Sequence, residues 1–230
     1  MLRYATVTRA ARLCLSLAGA LLSAAAIAAG SDALPDGAKA GDLIFREGTE
    51  AVSDAVMTVD GGGFSHVGML LGEPGNWQVI HATPSEVPGR PDGVVIDPLA
   101  FFTDPKLSRR HVVYHVGNAA PAQRERAVAA ARSDLGKPFR LADPAGTYCT
   151  TLVWQAWQEA GLDLEVEFTP LAIPLMPGNY LLPGRLAASP HLQALAETAG
   201  ANGLLTPVAT SLATPPDTSP NLPPQANTAQ

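Results

Sequence analysis

The spacing of apolar positions changes character twice along this chain. Between residues 41 and 116, apolar residues fall in short runs separated by Gly, Pro and Asp, the pattern of β-strands. Gly41-Asp42-Leu43-Ile44-Phe45-Arg46 reads as a turn glycine and a capping aspartate opening a buried strand. Residues 64–72 and 77–82 read as two strands of a hairpin turning at 73–76, and 94–97 as a further strand. At 111–116 the alternation is regular, with Val112, Tyr114 and Val116 on one face and His111, Val113 and His115 on the other. Val52, Val56 and Val59 recur at helical spacing, which predicts a short helix or an irregular segment over 47–59, and Asp60-Gly61-Gly62-Gly63 a loop after it. A second short helix is expected from Asp97-Pro98 to Phe102.

From residue 121 the period becomes helical. Pro121 suits a first turn, and Ala122, Val128, Ala129 and Leu135 share one side of a helix that Gly136 ends. After a loop at 137–145, Leu152, Val153, Ala156, Trp157 and Ala160 form a wide apolar face on a helix that begins near Cys149 and ends at Gly161. Beyond Gly161 the pattern decays. A last strand is expected at 164–168, an irregular proline-punctuated segment at 170–183, a short Ala/Leu helix within 190–205, and a disordered tail at 206–230.

Composition sets the scale. With 230 residues, 47% hydrophobic and 16% charged, the chain has material for one globular domain, placed at residues 29–190, with a weakly ordered Pro/Thr/Ala-rich tail at 191–230. A net charge of −6 argues against a nucleic-acid partner.

Residues 1–28 read as a secretory signal peptide: Arg3, Arg9 and Arg12 form a basic start, an Ala-rich apolar run follows, and Ala26-Ile27-Ala28 fits a small-x-small cleavage site. The run is short and weakly apolar for a membrane span, the alternative being an uncleaved anchor, and no later stretch is long enough to cross a bilayer. The expectation is an exported protein of the periplasm or cell envelope. Cleavage removes Cys14 and leaves Cys149 as the sole cysteine. An unpaired thiol in an oxidising compartment is a liability unless it has a use.

Cys149 sits where a Gly/Pro-rich loop becomes a helix. Free N–H groups and the positive dipole end favour an anion there, so the thiol is expected below its ordinary pKa of roughly 8.5. The competing reading is an inert, half-buried thiol. A thiolate nucleophile needs a base and the base an orienting group. His66, at a strand start after a Gly-rich loop, and His81, on the neighbouring arm of the hairpin, are similarly placed about the turn and suit base and orienter. His111 and His115 share a strand face and read as hydrogen-bonding residues. A metal site through His66, His81, His111 and His115 lacks a carboxylate cluster, so neither metal nor cofactor is expected.

Four motifs occur in order: Gly41-Asp42-Leu43-Ile44-Phe45, Phe64-Ser65-His66-Val67-Gly68-Met69, Gly136-Lys137-Pro138-Phe139 and Tyr148-Cys149-Thr150-Thr151-Leu152-Val153-Trp154. Over about residues 40–165 the chain resembles the YiiX-like branch of the permuted papain-like cysteine hydrolases, relatives of NlpC-type cell-wall peptidases and of lecithin:retinol acyltransferase. The resemblance implies an α+β fold of the permuted papain-like (NlpC-type) kind, a small antiparallel sheet packed against the Cys-bearing helix. It implies Cys149 as nucleophile, His66 as base and His81 in the third position, where close relatives often carry Glu, and it lends Tyr148 a part near the oxyanion site. The activity implied is hydrolysis of an amide or ester through an acyl-enzyme, on a cell-wall peptide or a lipid-linked acyl group. Apolar residues such as Phe101, Phe102, Leu171, Ile173, Leu175 and Met176 suit a lipid site or plain core. The contrasting possibility is a catalytically idle binding or structural protein on the same fold.

Overall fold

The strand-period segments form one antiparallel sheet. The computed structural model describes residues 34–141, 146–173 and 176–195. In chain order these give β1 (Leu43–Gly48), α1 (Ala51–Asp60), β2 (His66–Leu71), β3 (Gln78–Thr83), β4 (Gly93–Pro98), α2 (Leu99–Phe102), β5 (Ser108–Val116), α3 (Pro121–Ser133), α4 (Cys149–Glu159), β6 (Thr169–Ile173), β7 (Met176–Tyr180), α5 (Pro183–Ala187) and β8 (Leu192–Ala194). The six-stranded sheet runs β4-β3-β2-β1-β5-β8, and β6 and β7 make a separate hairpin.

Both faces of the sheet are covered, which is why β1 and β2 are apolar at consecutive positions rather than alternate ones. One face carries Leu43, Phe45, Val67, Met69, Leu71, Ile80, Val112 and Val116 against Ala127 and Ala131 of α3 and Leu152, Val153, Ala156 and Trp157 of α4. Trp157 is fully buried, and its indole N–H donates to the carbonyl of Gly41 at 3.2 Å. The other face carries Ile44, Leu70, Val79 and Val113 against Leu99 and Phe102 of α2. The alternation expected for 111–116 is therefore present: Val112, Tyr114 and Val116 meet the helices, and Val113 meets α2.

Asp42, fully buried, ties β1, β5 and α3 together. Its carboxylate accepts from Arg124 at 2.6 Å, from the backbone N–H of Val116 at 3.1 Å and from that of Lys39 at 2.9 Å, and it meets His115 Nδ1 at 3.1 Å. His115 thus belongs to a structural node, and His111 lies opposite Arg46 in the β1–β5 register.

The C-terminal third differs from expectation. The segment 164–168 is not a strand; Leu164 is fully buried without regular structure, so its apolar run serves packing. The stretch read as irregular instead forms the β6–β7 hairpin and then α5, whose first residue, Pro183, fits a first turn. Of the segment where a helix was expected, 190–205, residues 192–194 form β8, which pairs with β5, Tyr114 opposite Ala194, and residues 196–205 lie outside the described residues. Here edge pairing outweighs the helix preference of Leu and Ala. The segments read as signal peptide (1–28) and disordered tail (206–230) lie outside the described residues. Among the described residues, no helix is long and apolar enough to cross a membrane.

Candidate active site

The start of α4 is fixed from several sides. Thr151 reaches back over the first turn: its hydroxyl accepts from the backbone N–H of Tyr148 at 3.0 Å and donates to the Tyr148 carbonyl. Thr150 donates to the carbonyl of Leu181 at 2.7 Å, and the N–H of Leu181 donates to the Tyr148 hydroxyl at 2.9 Å. Burial pushes that hydroxyl's pKa up. Cys149, at the first helical position, lies on the wall of a cavity of about 340 Å³ that also takes in His66, Arg46, Glu86 and Tyr148.

Burial pushes the Cys149 thiol up to about 11, although hydrogen bonds from the N–H groups of Val67, Thr150 and Cys149 itself, and the charge of Arg46, act the other way. The expected lowering at the helix start is thus overturned. Loss of water around the sulfur outweighs the helix end, and the resting group is a neutral thiol. The contact with the Val67 N–H places the sulfur against the residue next to His66.

His66 and His81 are brought together, by a route other than the one expected. Met69 pairs with Ile80 and Leu70 with Val79, so the register continued one step sets Gly68, not His66, beside His81. The two histidines are diagonal neighbours on one face. A Cβ built on Gly68 would stand 3.2 Å from the His81 Cβ and 2.3 Å from a Val79 methyl, so the missing side chain leaves room for the rings to meet. His66 Nε2 lies 2.8 Å from His81 Nδ1, and His81 Nε2 lies 3.0 Å from Asp97 Oδ2. Asp97 Oδ1 in turn accepts from Arg90 at 2.7 Å. Phe102 flanks both rings, stacked on His66 and edge-on to His81.

The charges along this chain of contacts follow from burial. Burial first, then the positive Arg46 and the neighbouring His81, hold His66 well below its ordinary 6.5. Burial also lowers His81, against the pull of Asp97. Burial alone would raise Asp97, but its bonds to His81 and Arg90 bring it below the usual carboxylate range. Both rings are therefore neutral and Asp97 is an anion. A carboxylate only accepts, so His81 carries its proton on Nε2 and presents a bare Nδ1. His66 must then donate from Nε2, which leaves its Nδ1 as an unprotonated base.

Asp97, Arg90, Arg46 and Glu86 were not among the residues singled out from sequence. From sequence, Asp97 is only the end of a strand and the opening of a short helix. Its signal was positional: it is the lone acid of an apolar strand, two places along β4 from Val95, which pairs with His81. Arg46 pairs with Glu86, donates to the Phe102 carbonyl at 3.1 Å and lies over the Phe102 ring. No sequence spacing joins Arg46 to Glu86 across 40 residues.

Residues 37–195 match the family described as permuted papain-like amidase enzymes, YaeF/YiiX, C92. A solved structure described as the metalloprotein yiiX from Escherichia coli O157:H7 is similar in fold, with a TM-score of 0.58 and 23% identity over 69% of this chain and 97% of that one. No curated protein matches. The α+β fold of the permuted papain-like kind is thus the one expected. Ligand atoms of His81, Glu86 and Asp97 lie within 4.8 Å of one another. They do not suit a resident metal ion here. Both His81 nitrogens are already engaged, and the two carboxylates are paired with Arg90 and Arg46, whose charges oppose a cation.

Proposed function

Since this chain belongs to the permuted papain-like amidase family, YaeF/YiiX, we propose that it is a cysteine hydrolase that opens an amide or ester bond through an acyl-enzyme on Cys149. One observation carries the reading. The run Asp97–His81–His66 ends at a residue that lines the same cavity as Cys149.

In the proposed reaction, His66 Nδ1 takes the thiol proton as the sulfur attacks the acyl carbon. A neutral thiol and a neutral imidazole make this a coupled transfer rather than attack by a preformed ion pair. Asp97, through the His81 proton, fixes the tautomer that keeps Nδ1 bare and stabilises the imidazolium that forms. The N–H groups that converge near the sulfur, from Cys149 and Val67, support the developing oxyanion, a contribution of roughly 3 kcal/mol per donor. Tyr148 borders that position, its hydroxyl held by Leu181. The imidazolium returns its proton to the departing amine or alcohol. Water, deprotonated by His66, then attacks the thioester and frees the acid.

The basic start and apolar run at residues 1–28 support export to the cell envelope, where cell-wall peptides and acyl-lipids are both available substrates. The test is to trap the intermediate. The full chain, quenched in mid-turnover with an activated ester, gains the mass of the acyl group on the peptide holding Cys149. Cys149→Ala gains none, and an unmodified Cys149 peptide in a turning-over sample overturns the reading.

A further inference from the structure

Arg46 and His66 are direct partners in the β1–β2 register, so their side chains leave the sheet on one face. Phe102 of α2 bridges them. Its ring stacks on His66 and its centroid lies 4.6 Å from the Arg46 guanidinium carbon, while its carbonyl accepts from Arg46 at 3.1 Å. A permanent cation therefore stands beside the ring that becomes a cation when it takes the thiol proton. After burial and local hydrogen bonds, the charge of Arg46 acts on both reacting groups in one direction, downward on His66 and on Cys149.

The opposing charge comes from the loop between β3 and β4. Glu86 on that loop pairs with Arg46, and both side chains are more than nine-tenths buried. The same loop supplies Arg90 to Asp97. It thus sets one counter-charge at each end of the relay, an anion for Arg46 beside His66 and a cation for Asp97 beside His81. Folding does not account for the first of these pairs. Among the described residues, Arg46 Nε and Glu86 Oε2 are buried without a hydrogen-bond partner. A buried ion pair with unmet atoms contributes little stability, and two apolar side chains of similar volume would serve as well. What they would not supply is the balance of charge.

The charged and titratable groups around His66 are Arg46 on β1, His81 on β3, Glu86 on the loop, and Cys149 and Tyr148 at the start of α4. Glu50 lines the same cavity but is exposed, and Asp97 and Arg90 stand beyond His81. Among the described lining residues Arg46 is the one cation, so the state of its partner decides how much positive charge the site holds.

We propose that Glu86 is a positioning residue of this site: acting through Arg46, it sets the pH window in which Cys149 and His66 share a single transferable proton. The proposal rests on the acyl-enzyme reading above. Below the window His66 is already protonated and no base remains. Above it the thiol proton is lost to solvent and none is left for the departing amine or alcohol. A bare Arg46 cation would move both edges toward acid.

The experiment follows the two groups separately in the full chain. His66 is titrated by nitrogen NMR of histidine-labelled protein, assigned with His66→Gln, and Cys149 by the pH dependence of iodoacetamide alkylation. Glu86→Gln keeps an acceptor for Arg46 and removes the negative charge. An uncompensated charge this close shifts a neighbouring pKa by about one unit at the effective dielectric of a buried site. Both titrations should therefore move down by about one unit. The thiolate fraction at neutral pH then rises about tenfold, and alkylation roughly threefold, because a more acidic thiol is a weaker nucleophile. In Arg46→Met/Glu86→Met the cation is gone as well, and both titrations should move up. This apolar replacement is the variant expected to stay folded if the single one does not, as checked by circular dichroism at each pH. The two limbs of the kcat/KM–pH profile for p-nitrophenyl acetate should follow the titrations. Loss of burial has another signature, since it returns each group toward its exposed value, His66 upward and Cys149 downward. That pattern in Glu86→Gln overturns the proposal. Titrations unmoved in both variants also overturn it and leave the hydrolase standing. Titrations that move as expected, with every sample turning over at the Cys149→Ala rate, overturn the hydrolase reading and with it any catalytic use of the pair.

Discussion

His66 Nε2 and His81 Nδ1 are 2.8 Å apart, and the proton between them belongs to His66 because Asp97 already claims the one His81 owns. Asp97→Asn should therefore lower kcat by about tenfold to a hundredfold, less than the full 10²–10⁴ of a lost base, because an amide facing His81 Nε2 no longer enforces one tautomer. The acid limb of the kcat/KM–pH profile should move with it. A kcat drop with an unmoved profile would reduce Asp97 to a structural partner of Arg90.

Alkylation should report the state of the thiol. With Cys149 pushed up to about 11, iodoacetamide should modify it more slowly than free cysteine at neutral pH, and the rate should climb steeply from roughly pH 8.5 upward. Labelling faster than free cysteine at neutral pH would mean a thiolate–imidazolium pair in place of the neutral pair.

Stability should fall on both sides of neutrality. His66 and His81 titrate below their ordinary 6.5 in the folded chain, so below that value the unfolded chain binds more protons and folding weakens. Asp97, also held low, adds its loss further into acid. At the other end the unfolded thiol ionises first, so stability falls between roughly pH 8.5 and the folded value near 11. Melting temperature measured across this range tests both limbs. His66→Gln should shallow the acid limb and Cys149→Ala the alkaline one, and limbs unchanged in these variants would contradict the assignments.

Gly68→Ala should disturb the relay without replacing a titratable group. The new methyl would meet a Val79 methyl at 2.3 Å and the Ile80 carbonyl at 3.0 Å, overpacking that costs roughly 1–3 kcal/mol. Since the same methyl abuts His81, kcat should fall well beyond what partial unfolding explains, as measured on samples shown by circular dichroism to be folded. Unchanged turnover would mean that the two rings do not need this gap.

How much of this was legible depends on the range over which each signal acts. β1, β2, β3, β4, β5 and the two long helices were readable because alternation, helical stripes and Gly or Pro punctuation are local. The positions of Cys149 and His66, each at the start of an element after a loop, were readable for a similar reason. Asp97 and Arg90 were not, because their meaning comes from strand neighbours that only the sheet register supplies. The direction of the thiol shift was misread because a helix start is visible in sequence and the burial around it is not. β8 was missed since a three-residue edge strand is specified by the partner it joins.

The order of the strands along the chain carries a consequence for biosynthesis. β1 to β5 all precede α3 and α4, and in the sheet they lie side by side without a gap. The chain leaves the ribosome N-terminus first, so both histidines and Asp97 emerge on strands able to pair with one another before Cys149 has been translated. The thiol is the last of these groups to be made, and the helix that carries it meets its partners already present.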